Sequence, residues 1–503
     1  MTKILLIILF SSLVILAVKI QTTNAATIDV PDDYPTIQQA INAANDGDTI
    51  TVGNGTYYEH VVVNKTLNIK GSGFESTQIS GGVKISSDNV DLSGFTVSDG
   101  ESGLMVYSIN NTIHDNNITG NYFEGIYLYF SSGNSFTSNY ITKNGYGVSL
   151  THSGGNVFRN NSIFNNKWWG LTVEGNEVSN FVEDADTSNT LDGKPIYYWV
   201  NKEDMIVPSD AGYVALVGCK RILVKDLAFY RNGQGVLLAG TTDTIVKNNA
   251  FSKEYYGIYM VRSSNVTITN CTITDNNFAM EIWFSEGNNI IRNNITSNAY
   301  GINLAWSNYN NLSRNTVKNS SEFNGYGIAL SISCRGNRIF ENDIVQNPIG
   351  INLELFIGDN ENKIFHNNFV QNTVQVFNGA SATEIWDNGY PDGGNFWSEF
   401  NVTDVYKGPY QNETGSDRIG DTPYVIDANN TDRFPLLQRY TAILGDVNQD
   451  GVADLLDAIQ AALAFGSKPE DPHWNPAADL NGDSAVDIFD LILVANDFGK
   501  TYA

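Results

Sequence analysis

The sequence predicts an all-β chain wound as a right-handed parallel β-helix of about 22-residue coils, with a small α-helical, cation-binding module at the C-terminal end. Three observations lead there. A glycine followed by apolar–x–apolar recurs through the middle of the chain. Asn makes up about one residue in eight, beside 45 Gly and only 12 Pro. After Gly445 the texture switches to two acidic loops, each followed by a helical apolar pattern. With 503 residues, more than one module is expected. A net charge of −26 excludes a phosphate-tracking groove, and so a nucleic-acid partner.

The first element is a leader. Lys3 precedes an apolar run from Ile4 to Val18, and small residues follow at Thr23 and Ala25. The reading is a signal peptide over residues 1–25, which makes the chain secreted, with no membrane span once it is removed; an uncleaved anchor is the alternative. Next, Ile37, Ala40, Ile41 and Ala44 fall at helical spacing and suggest an amphipathic helix over the open end of the coil stack.

The repeat proper starts at Gly103 and continues at Gly125, Gly147 and Gly170. It resumes at Gly235, Gly257, Ala279, Gly301, Gly327 and Gly350. The residues one and three places on are always apolar, as in Ile126 and Leu128 or Ile302 and Leu304. That is the alternation of a strand with one buried face. A second strand signal follows about half a period later, in Asn117-Ile118, Asn161-Ser-Ile163 and Asn315-Thr-Val317. One such unit cannot bury its own apolar face, but stacked units share a core. Leu128, Leu150, Leu238, Ile282, Leu304 and Leu330 are therefore expected in one internal stack. The rhythm breaks between residues 176 and 232, around Leu191-Asp-Gly-Lys-Pro-Ile196, which reads as an ordered insertion. Cys219, Cys271 and Cys334 are odd in number and far apart, the pattern of buried small side chains rather than a disulfide framework.

Two stretches carry a resemblance. Val30-Pro-Asp-Asp-Tyr-Pro-Thr-Ile-Gln-Gln-Ala-Ile41 with Gly55-Thr-Tyr-Tyr-Glu59 resembles the first turn of pectin-lyase-like β-helix proteins. The repeats, with Gly394-Asn-Phe-Trp-Ser398, Ile419-Gly-Asp-Thr-Pro-Tyr424 and Asp432-Arg-Phe-Pro435, resemble the NosD-like β-helix family. The resemblance covers about residues 27–440, assigned as a β-helix domain over 26–440, and speaks for fold more than chemistry.

From Gly445 on, eleven acids face two lysines. Asp446, Asn448, Asp450, Asp454 and Asp457 occupy positions 1, 3, 5, 9 and 12 of one loop. Asp479, Asn481, Asp483, Asp487 and Asp490 repeat this 33 residues later. Val452 and Ala485 stand where each loop offers a backbone carbonyl. Oxygen ligands at this spacing wrap one Ca²⁺ per loop. Loop–helix duplicated in this way resembles a type I dockerin, here residues 441–503, and the resemblance implies a cohesin-like partner on a scaffold or cell surface. Ser484 replaces the usual turn glycine of the second loop, so that ion is expected to bind more weakly.

Positions before and after each repeat glycine are rich in aromatics, with Tyr146, Trp169, Tyr256, Phe278, Tyr300 and Tyr326 directly before it. Tyr127, Tyr129, Tyr259, Glu281, Trp283 and Asn303 are the candidate carbohydrate-binding residues, because rings meet the C–H faces of sugars and polar side chains meet hydroxyls. Glu281 and Glu354 lie three coils apart, roughly 14 Å, too far for an obvious pair of hydrolytic carboxyls. No motif assigns a catalytic residue, and five His without a paired arrangement argue against soft-metal binding. The expected function is a secreted carbohydrate-binding or carbohydrate-active β-helix protein attached through its dockerin. The alternatives are a non-catalytic surface or adhesion protein and a NosD-like accessory protein.

Overall fold

The computed structural model describes residues 25–354, 361–379, 382–441, 443–448, 452–468, 471–475, 477–480 and 485–500. Residues 1–24 of the leader, Asp450, Asn481, Asp483 and Ser484 lie outside the described residues. Parallel strands stack coil upon coil in long sheets, the largest of 16 strands. The glycine register holds from coil to coil: Ile258 pairs Met280, Met280 pairs Ile302, and Ile302 pairs Ile328.

Each corner is built by two adjacent residues. One turns the chain in the left-handed region, as Lys143, Asp275, Arg292 and Glu341 do at φ of 57, 56, 58 and 58°. The next is commonly a buried Asn. Asn293 donates both its backbone N–H and its side-chain Nδ2 to Asn315 Oδ1 in the following coil, at 3.0 Å each. Its Nδ2 also reaches Ile268 O of the preceding coil at 2.9 Å. Asn315, Asn342 and Asn367 repeat the pattern. Thus the buried Asn of the ladder is not the residue that takes the strained backbone. Cys271 stands in one such ladder position, its N–H donating to Asn293 Oδ1 at 3.0 Å. All three cysteines are free and buried, and burial pushes the Cys271 thiol up to about 12.

The expected single stack is in fact two. Leu128 and Leu150 belong to a first core, while Leu238, Ile282, Leu304 and Leu330 belong to a second. The division falls in the interval read as an insertion. Asp192 and Gly193, at φ of 47 and 81°, make a two-residue hairpin. It sets Lys194–Val200 antiparallel to Thr190–Leu191, where the neighbouring pairs are parallel. The chain then starts a second coil stack whose first long strands are buried on both faces. Val214, Leu216, Val236 and Leu238 point into the second core; Tyr213, Ala215, Val217, Leu237 and Ala239 point into the first. The outer face of the second stack therefore closes the end of the first. At the joint, Gln234 Oε1 accepts from Val173 N–H and its Nε2 donates to Val173 O.

The other ends are closed differently. Helix α1 (Ile37–Ala43) buries Ile37, Ala40 and Ile41 over the first coil. Glu59 accepts from the N–H groups of Ile37 and Gln38 at 2.9 Å each, satisfying donors the helix leaves unpaired. That is the structural job of the Gly-Thr-Tyr-Tyr-Glu opening. At the far end, Phe369, Trp397 and Tyr424 stack at 4.2 Å intervals. Two short helices, α2 (Leu455–Leu463) and α3 (Ile488–Asp497), form the C-terminal module around its own small core.

Because Asn315 carries four inter-coil bonds through its amide, Asn315→Ala should cost roughly 2–4 kcal/mol. Asn294→Ala, in the preceding coil where it pairs with Thr316 and is exposed, should change stability by less than about 0.5 kcal/mol. Guanidinium denaturation of both variants measures the difference; equal losses would show that the ladder is not what holds the coils.

Candidate functional site

The rings that precede the repeat glycines line up because the coils stack in register, and the glycine allows the close approach. A Cβ on Gly147 would lie 2.2 Å from Gly170 O. The resulting file of rings does not stop at the joint between the cores. Tyr146 to Trp169 is 5.2 Å, and Trp169 crosses to Tyr255 of the second stack at 4.6 Å. From there Tyr255, Tyr256, Phe278, Tyr300 and Tyr326 continue at 4.4, 5.4, 4.9 and 5.2 Å. Most of these rings are half-buried. Alongside runs an open groove of about 580 Å³, whose lining includes Trp169, Lys253, Asp275, Asn277, Ser297 and Ser321. Trp169 Nε1 donates to Lys253 O at 3.2 Å, which fixes the indole at the groove's end.

The six candidate sugar contacts do not form one surface. Tyr127 and Tyr129 stand on the first stack with Tyr107, their rings 6.1–6.3 Å apart. Phe130 stacks on His152 beside them at 4.9 Å. Tyr259, Glu281 and Asn303 lie on the second stack and are 4, 5 and 9% exposed, so they are corrected from surface contacts to buried groups. Tyr259 is covered by the chain leaving the first core: its hydroxyl donates to Gly175 O at 3.3 Å, and Phe181 packs on its ring. Glu281 Oε1 accepts from Trp283 Nε1 and from Asn303 Nδ2, the latter at 2.6 Å; Oε2 is buried with no hydrogen-bond partner. Burial pushes the Glu281 carboxyl up to about 7, partly countered by those two bonds. Trp283 is half-exposed, in edge contact with Trp306. Alternation along the strand separated inside from outside for one coil; it carried no information about what packs on the outside.

Sequence reasoning missed Lys253, Tyr255, Asp275 and Asn277. The tandem rings Trp168-Trp169 and Tyr255-Tyr256 were the available signal, since two adjacent aromatics at a corner cannot both point inward. Glu174, at the end of the last long strand of the first core, also went unremarked. It accepts from Tyr256 OH at 3.3 Å, and burial raises its carboxyl above the usual range.

In the C-terminal module, Asp446, Asp457, Asp479 and Asp490 are buried. Asp457 Oδ1 accepts from Asn448 N–H at 2.9 Å and Oδ2 from Asp454 N–H at 2.8 Å. Asp490 does the same with Leu480 and Asp487 N–H groups at 2.7 and 2.8 Å. Position 12 of each loop is thus aimed back across its own loop. Asp454 and Asp487 also cap α2 and α3. Burying carboxylates in pairs, in a module with two lysines of which Lys500 is engaged by Asp497, is costly without a cation. The all-oxygen donor set fits a hard one.

The sequence model for the right handed beta helix region matches residues 36–204 and 213–388, and that for the dockerin type I domain matches 444–499. A cell surface glycoprotein of Methanothermus fervidus is 30% identical over 206 residues, covering 38% of this chain and 32% of that protein. The chain therefore matches about a third of that relative's length. Among solved structures, the A-module of the Azotobacter vinelandii mannuronan C-5 epimerase AlgE6 covers 69% of this chain and 91% of its own, at 12% identity and a TM-score of 0.33. An alginate lyase from Paenibacillus covers 66% and 98%, at 15% identity and 0.22. Among the described residues, no helix is long and apolar enough to cross a membrane. With matched segments over most of its length, the chain belongs to the right handed beta helix family and carries a C-terminal dockerin type I domain.

Proposed function

We propose that the chain is a carbohydrate-binding β-helix protein, exported from the cell and held on a scaffold or cell surface by a calcium-loaded dockerin. The file of rings that bridges the two cores, with a polar groove alongside, carries the reading. A polysaccharide is a long ligand with apolar C–H faces and hydroxyl edges, and a row of rings at coil spacing flanked by Asn, Ser, Asp and Lys offers both kinds of contact. Trp283, Tyr127 and Tyr129 remain candidates for outlying contacts. Tyr259, Glu281 and Asn303 support the platform from beneath.

Calcium would be held by Asp446, Asn448, Asp450, Asp454 and Asp457 with the Val452 carbonyl, and by Asp479, Asn481, Asp483, Asp487 and Asp490 with the Ala485 carbonyl. When bound, it would supply the charge that these clustered carboxylates need in order to stay folded. Leu455, Leu456, Ile459 and Leu463 on α2, with Ile488, Phe489 and Ile492 on α3, are exposed large apolar residues. They make the natural contact for a cohesin-like partner. A second reading, a surface protein without a glycan ligand, is favoured by the name of the curated relative.

A polysaccharide panel in affinity electrophoresis separates the two readings. Retardation by some polysaccharide, weakened about tenfold or more in Trp169→Ala with the fold intact, supports the first; a chain that no polysaccharide retards supports the second. Chelation, or Asp457→Ala, should abolish capture by a cohesin column while leaving glycan binding unchanged. Glu281→Gln tests the supporting role. The folded carboxyl titrates at about 7 against 4.5 in the free side chain, so native stability falls as pH rises from 4.5 through 7 and is level beyond. The amide variant should match the wild type at pH 4 and exceed it by up to about 3 kcal/mol at pH 8 in thermal denaturation, with glycan binding retained.

A further inference from the structure

The corner beside the ring file runs on past the groove to the far end of the second stack. Along it the backbone N–H of Asn276 donates to Asn298 Oδ1, that of Ser320 to Asn347 Oδ1 and that of Asn347 to Asn372 Oδ1, at 3.0–3.1 Å. The file position itself continues in register, Tyr326 pairing Ile349 and Ile349 pairing Val374. At Asn372 this ladder ends, and its Nδ2 turns to Gln375 Oε1 at 2.8 Å. Gln375 Nε2 in turn donates to Glu399 Oε2, and Tyr424 OH donates to Glu399 Oε1 at 2.8 Å. Ser398 Oγ approaches the same carboxylate at 3.4 Å. With Gln371 and Thr373 these groups line an open pocket of about 520 Å³, a size that suits a small ligand.

Glu399 is exposed, so water alone would satisfy it. Three donors nevertheless hold it in one position, and Tyr424 is held in turn by stacking on Trp397 at 4.2 Å. Fixing an exposed carboxylate costs side-chain entropy, and at the side of an open pocket it pre-organises the group for a ligand. Among the described residues that line the pocket, Glu399 is the only charged one. Hydrolysis of a glycosidic bond needs a second carboxyl, so the chemistry here is binding. A carboxylate beside an aromatic ring accepts from sugar hydroxyls in charge-assisted bonds and repels a sugar that carries a carboxylate of its own. We propose that this pocket is a further sugar subsite, two coils beyond Tyr326 on the line of the ring file, and that Glu399 makes it select neutral over acidic sugar residues. The inference rests on the glycan reading above and names the class of glycan.

The test is affinity electrophoresis of the full chain in neutral polysaccharides (glucomannan, mixed-linkage β-glucan, galactan, arabinan) and acidic ones (polygalacturonate, alginate). The wild type should be retarded by a neutral polysaccharide more than by either acidic one. Glu399→Ala, an exposed substitution whose fold is checked by thermal denaturation, should weaken neutral binding roughly tenfold. Glu399→Gln should weaken it about three- to tenfold and strengthen acidic binding, narrowing the ratio between the two classes. Tyr424→Phe, which keeps the ring and frees Oε1, should fall between the wild type and Glu399→Ala. If Glu399→Ala is retarded like the wild type while Trp169→Ala is not, the subsite is overturned and the ring file stands. A ratio that Glu399→Gln leaves unchanged overturns the selection by charge. Retardation by acidic polysaccharides alone leaves the glycan reading in place and overturns the neutral subsite. If no polysaccharide retards the wild type, the glycan reading itself fails and the subsite with it.

Discussion

The buried Asn ladder is the interaction on which the rest of the molecule depends. Strand pairing fixes the spacing of coils along the sheets, but a coil must also turn about three corners, where backbone donors and acceptors leave the sheet ladder. At the corners the Asn amide takes their place: one oxygen accepts two N–H groups from the coil before, and the amide nitrogen donates both backwards and forwards. An orphaned group at such a depth would cost about 1–3 kcal/mol. At three file ends the residue type changes. Glu183, Glu384 and Asp432 accept from the last Asn of their files, at Asn156, Asn362 and Asn395.

The same constraint accounts for the joint. A coil stack that runs out of ladder exposes an apolar cross-section and unpaired strand edges. The chain covers the first stack with a helix at one end and with the side of the second stack at the other, so that the strands Tyr213–Val217 and Gln234–Ala239 have no solvent face. Covering one core with the outside of another makes the re-entrant angle where Trp169, Tyr255 and Tyr256 meet. A straight solenoid of this sequence length would carry the same rings in a flat row. The bend sets the file of the first stack against that of the second and leaves the groove beside it.

How much of this was legible follows from what each signal measures. The step from glycine to glycine measures register, and the structure keeps it: Glu124 pairs Tyr146, and Phe278 pairs Tyr300. Alternation measures which side chains enter their own coil's core, and Leu128, Ile282 and Leu330 do. Neither signal reports what a distant segment lays over the outer face, which is why Tyr259 and Glu281 read as surface and are buried. The joint did have a local signal. Asp192-Gly193 between Leu191 and Lys194 is the dipeptide that favours a two-residue hairpin, and a hairpin inside a parallel solenoid reverses the winding strand. An excursion from one stack, the reading of residues 176–232, needs no such reversal, and the hairpin is what distinguishes a second stack from it.

The two modules reach stability by opposite routes, and this gives their attachment its character. The β-helix is held by apolar stacking and by bonds that every coil repeats, so its stability is distributed and nearly independent of small ions. The dockerin has a core of few residues, such as Val447, Ala461, Leu480, Val486 and Val494, too small to order fifty residues alone. Its missing stability has to come from whatever satisfies four buried carboxylates. A cation in each loop would do so. On the proposed calcium reading, the dockerin is the part of the chain whose state external conditions can set, whereas the solenoid beside it serves as the fixed frame.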